Sequence, residues 1–579
     1  MTAVPAFRRL TIIAKDPGLR IGGAAGPMAF AQVDVAAEKL AKGPTGYRIK
    51  VVDYNATERV VYKDRQDYQT NGEELIDPFA PREGEDLLDR GYQARLLADP
   101  NFHAQNAYAI AMRTLGHFER ALGRRVSWSF GGHQLHIAPH AFAQANAFYS
   151  EPDRTLMFGY FRSGNGTPVF TALSHDIVAH ETTHALLDGL RTRYTEPSGP
   201  DQAGFHEGFA DIVALLSVFS LEEVVAAAIG EDGSYAHDDR KMALVDAEKL
   251  TTTALEQSVL LGIGRQFGEA LEEGAELRRA IDLRRSIVRP PEDFARAMDD
   301  EHERGELIVA VVMRTFVTLW VRRIEDLGQF QGRYNLTLVV EEGAKLARHL
   351  LTMCIRGLDY CPPTDMDFAQ FVAAVLTCDR EVAPDDSHFG YRRALRDEAT
   401  AYGLRAPPHC DDEWCWKTFK SRKKLCYMRS NYAAMTRSRD ELFRFLWENR
   451  AELGISERAY TEVISIDSAQ RTGPDGISVN ETICQYSQRA DLFGAEAKSV
   501  LGARLPDGLK TSTRLTAYGG GVLVLDQYGQ VKYHIANPLK GGERQSDRLA
   551  CLAESGGLDA RAAGGRMRFA LCHLDRMGA

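Results

Sequence analysis

The sequence predicts an α+β fold in which strand-rich and helix-rich segments occupy different parts of the chain. Short runs of alternating apolar and polar residues dominate from about residue 46 to 175, and apolar residues at helical intervals dominate from 176 to about 405. A second strand pattern appears near the C-terminal end. We therefore expect an N-terminal extension over 1–45, a β-rich lobe over 46–175, a helical lobe over 176–405, a basic linker over 406–440 and a C-terminal α+β module over 441–579.

The N-terminal part carries most of the strand signals. The first 45 residues are rich in glycine and alanine, with one strand-like run at 10–14. Alternating runs at 48–53 and 58–62, separated by Asn55, predict a hairpin. Apolar residues at helical intervals predict a helix over 101–123, and short strands with glycine turns follow from 126 to 170.

Helical periodicity dominates the central part of the chain. It predicts helices over 208–229, 305–325, 338–357 and 367–378, and a proline-containing stretch at 405–409 ends the run. A helix near 437–449 opens the last part, where 521–525 and 530–535 predict a second hairpin. No pattern in the C-terminal module converts into chemistry, so we expect it to cap a cleft, bind a partner protein or recruit substrate.

Composition excludes some classes of partner. The 579 residues are 44% hydrophobic and 26% charged, with a formal net charge of −10, which gives no electrostatic reason to expect nucleic acid or an acidic membrane. We find no secretory signal and no uncharged run long enough for a membrane span. Nine cysteines cannot all pair within the chain, so we expect reduced thiols and a cytoplasmic location.

The most informative motif is His-Glu-Thr-Thr-His at 180–184, followed by Glu-Gly-Phe-Ala-Asp at 207–211. Two histidines four residues apart on a helix share one face, so both imidazoles can reach a single metal ion. A catalytic zinc needs three protein ligands and an open fourth position. We expect His180, His184 and Glu207 to be the ligands of one zinc ion per chain.

Glu181 is left over as a general base for hydrolysis. Zinc makes bound water acidic and polarises a carbonyl, and a nearby carboxylate can then carry the proton to the leaving amine. Zinc-bound histidines usually donate their second N–H to a carboxylate. Asp211 and Asp188 each lie one helical turn beyond a predicted ligand, which makes them candidates for that supporting contact.

These motifs resemble the thermolysin family of zinc metallopeptidases, the gluzincins whose third ligand is glutamate. The resemblance covers roughly 46–405 and is most specific at the zinc motifs. The run at 145–149 is similar to the family's substrate-edge strand, which implies that Asn146 and the Ala147 carbonyl hold the peptide. The segment at 277–282 is similar to the one with the substrate-binding arginine, which implies Arg278, or Arg279 in its place.

The resemblance also implies two donors to the transition-state oxyanion. His302 precedes a long apolar helix, where the family keeps its catalytic histidine, and Tyr194 stands near the position of the family's tyrosine. The implied fold has a β-rich lobe and a helical lobe, joined by the helix with His180 and His184, and a cleft between them.

The chain departs from the family pattern at several points. Val218 replaces a glutamate of the family's double calcium site, and Asp176 alone cannot hold two calcium ions, so a calcium requirement is doubtful. The interval from Glu207 to His302 is longer than usual, which predicts an insertion within 220–275. The family's signal and long propeptide are not recognised.

The sequence therefore predicts a zinc metalloendopeptidase acting on a peptide or protein substrate. Two alternatives stay open. One is a narrow-specificity zinc hydrolase of a peptide or non-peptide amide, and the other is a catalytically silent, zinc-stabilised binding protein. Glu181 argues against the silent protein, because a structural zinc site has no use for a carboxylate beside an open position.

Overall fold

We analysed a computed structural model of the chain. It describes residues 6–15, 20–21, 24–25, 29–62, 66–68, 77–163, 166–195, 198–229, 243–256, 301–387, 389–420, 425–473, 476 and 478–554. Helices and strands are both abundant and partly segregated along the chain, so the α+β class predicted from the sequence is confirmed.

The segments 6–15 and 29–45, which belong to the predicted N-terminal extension, contribute strands and core residues to the N-terminal part of the fold. Strand β1 (Phe7–Lys15) pairs antiparallel with β4 (Ala29–Ala36). The chain between these two strands forms a separate short pair, β2 (Arg20–Ile21) and β3 (Ala24–Ala25). Leu10 and Val33 are buried in the main core. The Ile13 amide donates to Asn106 Oδ1 at 2.8 Å, which ties β1 to the helix beneath it.

A five-stranded sheet forms the rest of this lobe. Its strands are β5 (Ile49–Val51), β8 (Leu135–Phe142), β9 (Ala147–Ser150), β10 (Thr155–Arg162) and β11 (Pro168–Phe170). Strands β5 and β8 run parallel, whereas the predicted hairpin is reduced to β6 (Tyr54–Asn55) and β7 (Val60–Val61). Strand β9 pairs with β10 alone among the described strands, so its other edge is available to the neighbouring helix.

Two helices support the sheet, α1 (Arg90–Leu97) and α2 (Pro100–Leu122). Helix α2 matches the prediction over 101–123, and its ends follow from local chemistry. Asp99 caps its first turn by accepting from the Asn101 amide at 2.9 Å, and Pro100 needs no hydrogen-bond partner for its nitrogen at that position. Gly123, with φ of 67°, ends it in the left-handed conformation.

The helical lobe begins with α3 (His175–Leu190), which crosses under the open edge of β9. It continues with α4 (Pro200–Phe219), α5 (Glu222–Ala228), α6 (Thr252–Leu255), α7 (Glu301–Asp326), α8 (Leu336–Gly357), α9 (Phe368–Val382) and α10 (Tyr391–Ala401). A small ladder of β12 (Leu244–Asp246) and β13 (Arg333–Asn335) lies at its side. The predicted insertion at 220–275 falls largely outside the described residues.

Helices α4 and α7 approach each other closely through glycines. A Cβ atom built on Gly208 would lie 2.6 Å from the Gly305 carbonyl oxygen, and one built on Gly305 would lie 2.7 Å from the Gly204 carbonyl oxygen. Contacts that short leave no room for a side chain. Since Gly208 follows Glu207 directly, this crossing also fixes the position of Glu207.

The C-terminal module is a four-stranded antiparallel sheet with flanking helices. Its strands are β14 (Tyr460–Thr472), β15 (Ser478–Phe493), β16 (Arg514–Leu525) and β17 (Val531–Asn537), in that order. The helices are α11 (Tyr432–Met435), α12 (Arg439–Glu448), α13 (Ala497–Val500) and α14 (Glu543–Glu554). The hairpin predicted at 521–535 is β16–β17, and the helix predicted near 437–449 is α12.

A buried charged cluster joins the module to both lobes. Arg471 of β14 pairs with Asp359, which follows α8, and with Glu481 of β15 at 2.7 Å. Arg124, which follows α2, donates to both oxygens of Asp359, each at 2.7 Å. Burial alone raises the pKa of Asp359, but the two arginines outweigh it and hold that pKa below its usual range.

Among the residues that the structure describes, no helix combines the length and the apolar character needed to cross a bilayer.

Candidate metal centre

Three nitrogen and oxygen donors converge between α3 and α4. His180 and His184 lie one turn apart on α3, and their Nε2 atoms are 2.8 Å from each other. Glu207 of α4 faces both, with Oε2 3.5 Å from His180 Nε2 and Oε1 3.6 Å from His184 Nε2. Each of the three residues is at most 2% exposed.

This donor set fits a zinc ion. Zinc binds histidine nitrogen and carboxylate oxygen at about 2.0–2.2 Å, so neighbouring ligand atoms of a tetrahedral site lie about 3.4 Å apart. The two distances to Glu207 agree with that spacing, and the pair of nitrogens is somewhat closer. Two imidazoles and one carboxylate also suit zinc better than calcium or magnesium, because those two ions bind oxygen ligands.

Asp211 lies one turn beyond Glu207 on the same face of α4. His180 Nδ1 donates to Asp211 Oδ1 at 2.7 Å. A carboxylate oxygen can only accept, so this contact places a proton on Nδ1 and leaves Nε2, on the side of Glu207 and His184, as the atom that can bind a metal ion. Asp211 therefore fixes both the tautomer and the orientation of this imidazole.

Glu181 shares the cluster without belonging to the triad. One carboxylate oxygen of Glu181 lies within 4.8 Å of a ring nitrogen of His180 and of one of His184. Its Oε2 accepts a hydrogen bond from the backbone amide of Tyr149, on the open edge of β9, at 3.1 Å. Strand β9 thus orients the Glu181 carboxylate, which itself extends from α3.

Asp188 is placed by a different contact. The Tyr149 hydroxyl donates to Asp188 Oδ2 at 3.3 Å and also lies 3.1 Å from Ser129 Oγ. Burial, followed by the charge of Asp188, raises the pKa of Tyr149 well above its usual value. Tyr149 therefore stays a neutral donor, and it connects β9 to two points of α3 that lie two turns apart.

The predicted substrate-edge residues lie on or beside β9. Asn146 Oδ1 accepts from the Ala147 amide at 2.8 Å, so the side chain folds back on its own backbone. In a strand, the N–H and C=O groups of residues i and i+2 point to the same side. Since the Tyr149 amide reaches Glu181, the Ala147 carbonyl also faces the cluster side of β9.

Tyr194 does not take the position predicted for an oxyanion donor. It is 2% exposed, and its hydroxyl donates to the Pro362 carbonyl at 2.7 Å, with Met366 Sδ also 3.1 Å away. The single hydroxyl proton is thus used inside the helical lobe. The ring packs edge-on against Phe205, which anchors the residue in the core between α4 and the segment before α9.

The remaining predicted residues are described only in part. Arg278 and Arg279 lie outside the described residues. His302 lies in the first turn of α7, and only its backbone position is described. Val218 is buried in the core, and Asp176 accepts a hydrogen bond from Ser174 Oγ. Among the described residues, neither belongs to a group of potential metal ligands.

His206 is part of this centre and was missed by the sequence analysis. It is 1% exposed, its ring lies nearly parallel to that of His184 with centroids 4.8 Å apart, and it forms a potential metal-binding group with His184 and Glu207. The available signal was its position directly before Glu207. Adjacent residues on a helix point about 100° apart, so periodicity gave no reason to include it.

Sequence comparisons assign no family to this centre. No protein-family model matches the chain, and no curated protein matches it.

Proposed function

We propose that this protein is a zinc-dependent metallopeptidase of the thermolysin-like, gluzincin type. The observation that carries the proposal is the convergence of His180 Nε2, His184 Nε2 and the Glu207 carboxylate within 3.6 Å, with Glu181 beside them. Three ligands and a separate carboxylate are what hydrolysis at zinc needs. A purely structural site has no use for a separate carboxylate such as Glu181.

The residues divide the work between binding and proton transfer. When bound, zinc supplies Lewis acidity towards the carbonyl and makes a water molecule acidic near neutral pH. His180, His184 and Glu207 hold the ion, and Asp211 keeps His180 in the ligating tautomer. Glu181 takes the proton of the attacking water on its carboxylate and delivers it to the nitrogen of the leaving amine.

The substrate in this proposal is an extended peptide or protein segment that lies along β9. Substrate-strand addition uses exposed backbone groups of an edge strand, and the Ala147 carbonyl is on the required side. Asn146 would hold the peptide once its side chain turns away from the Ala147 amide. His302 is proposed as the oxyanion donor by resemblance alone, and Arg278 as the arginine that binds the substrate carbonyl.

Burial favours high selectivity or latency. His180, Glu181, His184 and Glu207 are each at most 2% exposed, so a peptide reaches them only after the protein opens. The same burial supports the second candidate function, a zinc-stabilised binding protein without turnover. A narrow-specificity amide hydrolase is the third, and the C-terminal module would then act as a cleft cap or a partner-binding surface.

The test is cleavage profiling of a mixed peptide library by mass spectrometry, with zinc content measured on the same samples. Wild type should cleave, and Glu181→Gln should bind zinc equally and lose cleavage by at least about 10³-fold, because the substitution removes only the proton acceptor. Glu341→Gln, an exposed change on α8, is the matched control and should behave as wild type.

The outcomes separate the candidates. If wild type and both variants bind one zinc ion per chain and none of them cleaves the library, the result would support the silent binding protein and overturn the peptidase. Cleavage that survives Glu181→Gln would overturn the assignment of the base. Cleavage of very few library members would support the narrow-specificity hydrolase.

A further inference from the structure

His206 places a third imidazole at the edge of the metal centre. It is 1% exposed and comes from the same helix as Glu207, one residue earlier. Its ring lies at 16° to that of His184, with a centroid separation of 4.8 Å. The two predicted histidine ligands, His180 and His184, have a similar separation of 4.4 Å.

His206 lies beside two of the potential ligands. One ligand atom each from His184, His206 and Glu207 lie within 4.8 Å of one another. Ligand atoms around a tetrahedral zinc are about 3.4 Å apart, so His206 would need to approach His184 and Glu207 by no more than about 1–2 Å to share an ion with them. Rotation about side-chain torsions covers that range without moving the helix.

Burial makes such a shift consequential. The cluster residues His184, His206 and Glu207 are all buried, as are His180 and Glu181. A catalytic zinc keeps its fourth position open to water, whereas a site with four protein ligands is closed. A neutral imidazole is among the preferred zinc ligands, and it replaces a neutral water molecule without any change in the charge of the site.

We propose that His206 is a fourth protein ligand of the metal, which closes the centre in the buried form of the protein. The inference rests on the proposed function for its zinc ion, and it adds a means of restraint. In the closed form His180, His184, Glu207 and His206 hold the ion. Admission of substrate then requires His206 to turn away and leave the fourth position to water.

The first experiment counts imidazoles in the full-length, zinc-loaded protein by X-ray absorption at the zinc edge. Wild type should show three imidazole nitrogens and His206→Gln two, while His349→Gln, a remote histidine on α8, should keep three. Two imidazoles in wild type would overturn the closed site. The wild-type count needs no variant, so it stands even where His206→Gln fails to fold.

The second experiment measures access to the fourth position. Cobalt replaces zinc, and acetohydroxamate is titrated while the visible absorption of the cobalt is followed. His206→Gln should bind acetohydroxamate at least tenfold more tightly than wild type and His349→Gln. Equal binding by all three proteins would contradict closure by His206.

Failure of the two proposals looks different. If the protein binds no zinc, both the peptidase and the closed centre are overturned. If zinc is bound through two imidazoles and Glu181-dependent cleavage is seen, the peptidase stands and only the role of His206 is overturned. If three imidazoles are found and His206→Gln cleaves peptides faster than wild type, both proposals are supported.

Discussion

Replacing Gly208 with alanine tests whether the close contact of α4 with α7 holds Glu207 in place. The added Cβ would lie 2.6 Å from the Gly305 carbonyl oxygen and 2.8 Å from Ile308 Cγ2. Because the nearer obstacle is backbone, the two helices must separate. Such overpacking costs about 1–3 kcal/mol, and the higher helix propensity of alanine offsets about 1 kcal/mol of it.

The expected net effect is a loss of about 0–2 kcal/mol of stability, together with weaker zinc binding because Glu207 moves with α4. The matched control is Gly116→Ala in α2, where the new Cβ meets only the flexible guanidinium of Arg120, at 3.1 Å. That variant should gain up to about 1 kcal/mol. Denaturant midpoints and zinc affinity from chelator competition measure both effects.

A Gly208→Ala protein as stable as Gly116→Ala, with unchanged zinc affinity, would refute this reasoning. It would mean that α4 and α7 are free to adjust, and that the glycine contact does not position Glu207.

Other predictions concern the metal centre, the buried charges and pH. Asp211→Asn should lower zinc affinity by about 10–100-fold in chelator competition, and an unchanged affinity would contradict its orienting role. Arg471→Met removes one cationic partner from each of two buried carboxylates, Asp359 and Glu481, and should cost about 3–5 kcal/mol in denaturant unfolding, whereas the exposed Arg489→Met should cost almost nothing. Burial lowers the pKa of His103 and of His534 to about 4, from 6.5 in the unfolded chain. Since the unfolded chain takes up these protons first, thermal stability should be complete above pH 6.5 and fall towards pH 4; a flat profile would contradict this.

The pairing of His180 with His184 was accessible to sequence reasoning because it depends on local geometry. His180 and His184 share a helix face by periodicity alone, and Asp211 follows Glu207 at the same four-residue interval. The long helices were found for the same reason, since each carries an apolar stripe along its own sequence. The face that each helix buries can therefore be predicted before the elements that pack against it are known.

Contacts between distant segments were not accessible. Tyr194 was placed by resemblance, yet its hydroxyl partner, Pro362, lies 168 residues away. His206 enters the centre because α4 packs against α3, which no pattern within α4 reveals. Asp188 likewise contacts Tyr149 of a strand 39 residues earlier.

Strand pairing shows the same limit. The run at 48–53 reads as half of a hairpin, but β5 pairs parallel with β8, more than 80 residues later in the chain. The first 45 residues read as an extension because they are rich in glycine and alanine, whereas β1 and β4 complete the core around α2. Local patterns predict that a strand exists, and the choice of partner depends on tertiary packing.

The charged cluster of Arg124, Asp359, Arg471 and Glu481 makes the predicted domain boundaries poor places to cut. Each of its side chains is at most 8% exposed, and they come from the N-terminal lobe, the helical lobe and the C-terminal module. A chain shortened before β14 would leave Asp359 without Arg471, and it would expose the apolar core surface of the lobes that β15, β16 and β17 cover. The three parts should therefore melt as one cooperative unit, and proteolytic removal of the module should unfold the two lobes and not release them as folded parts.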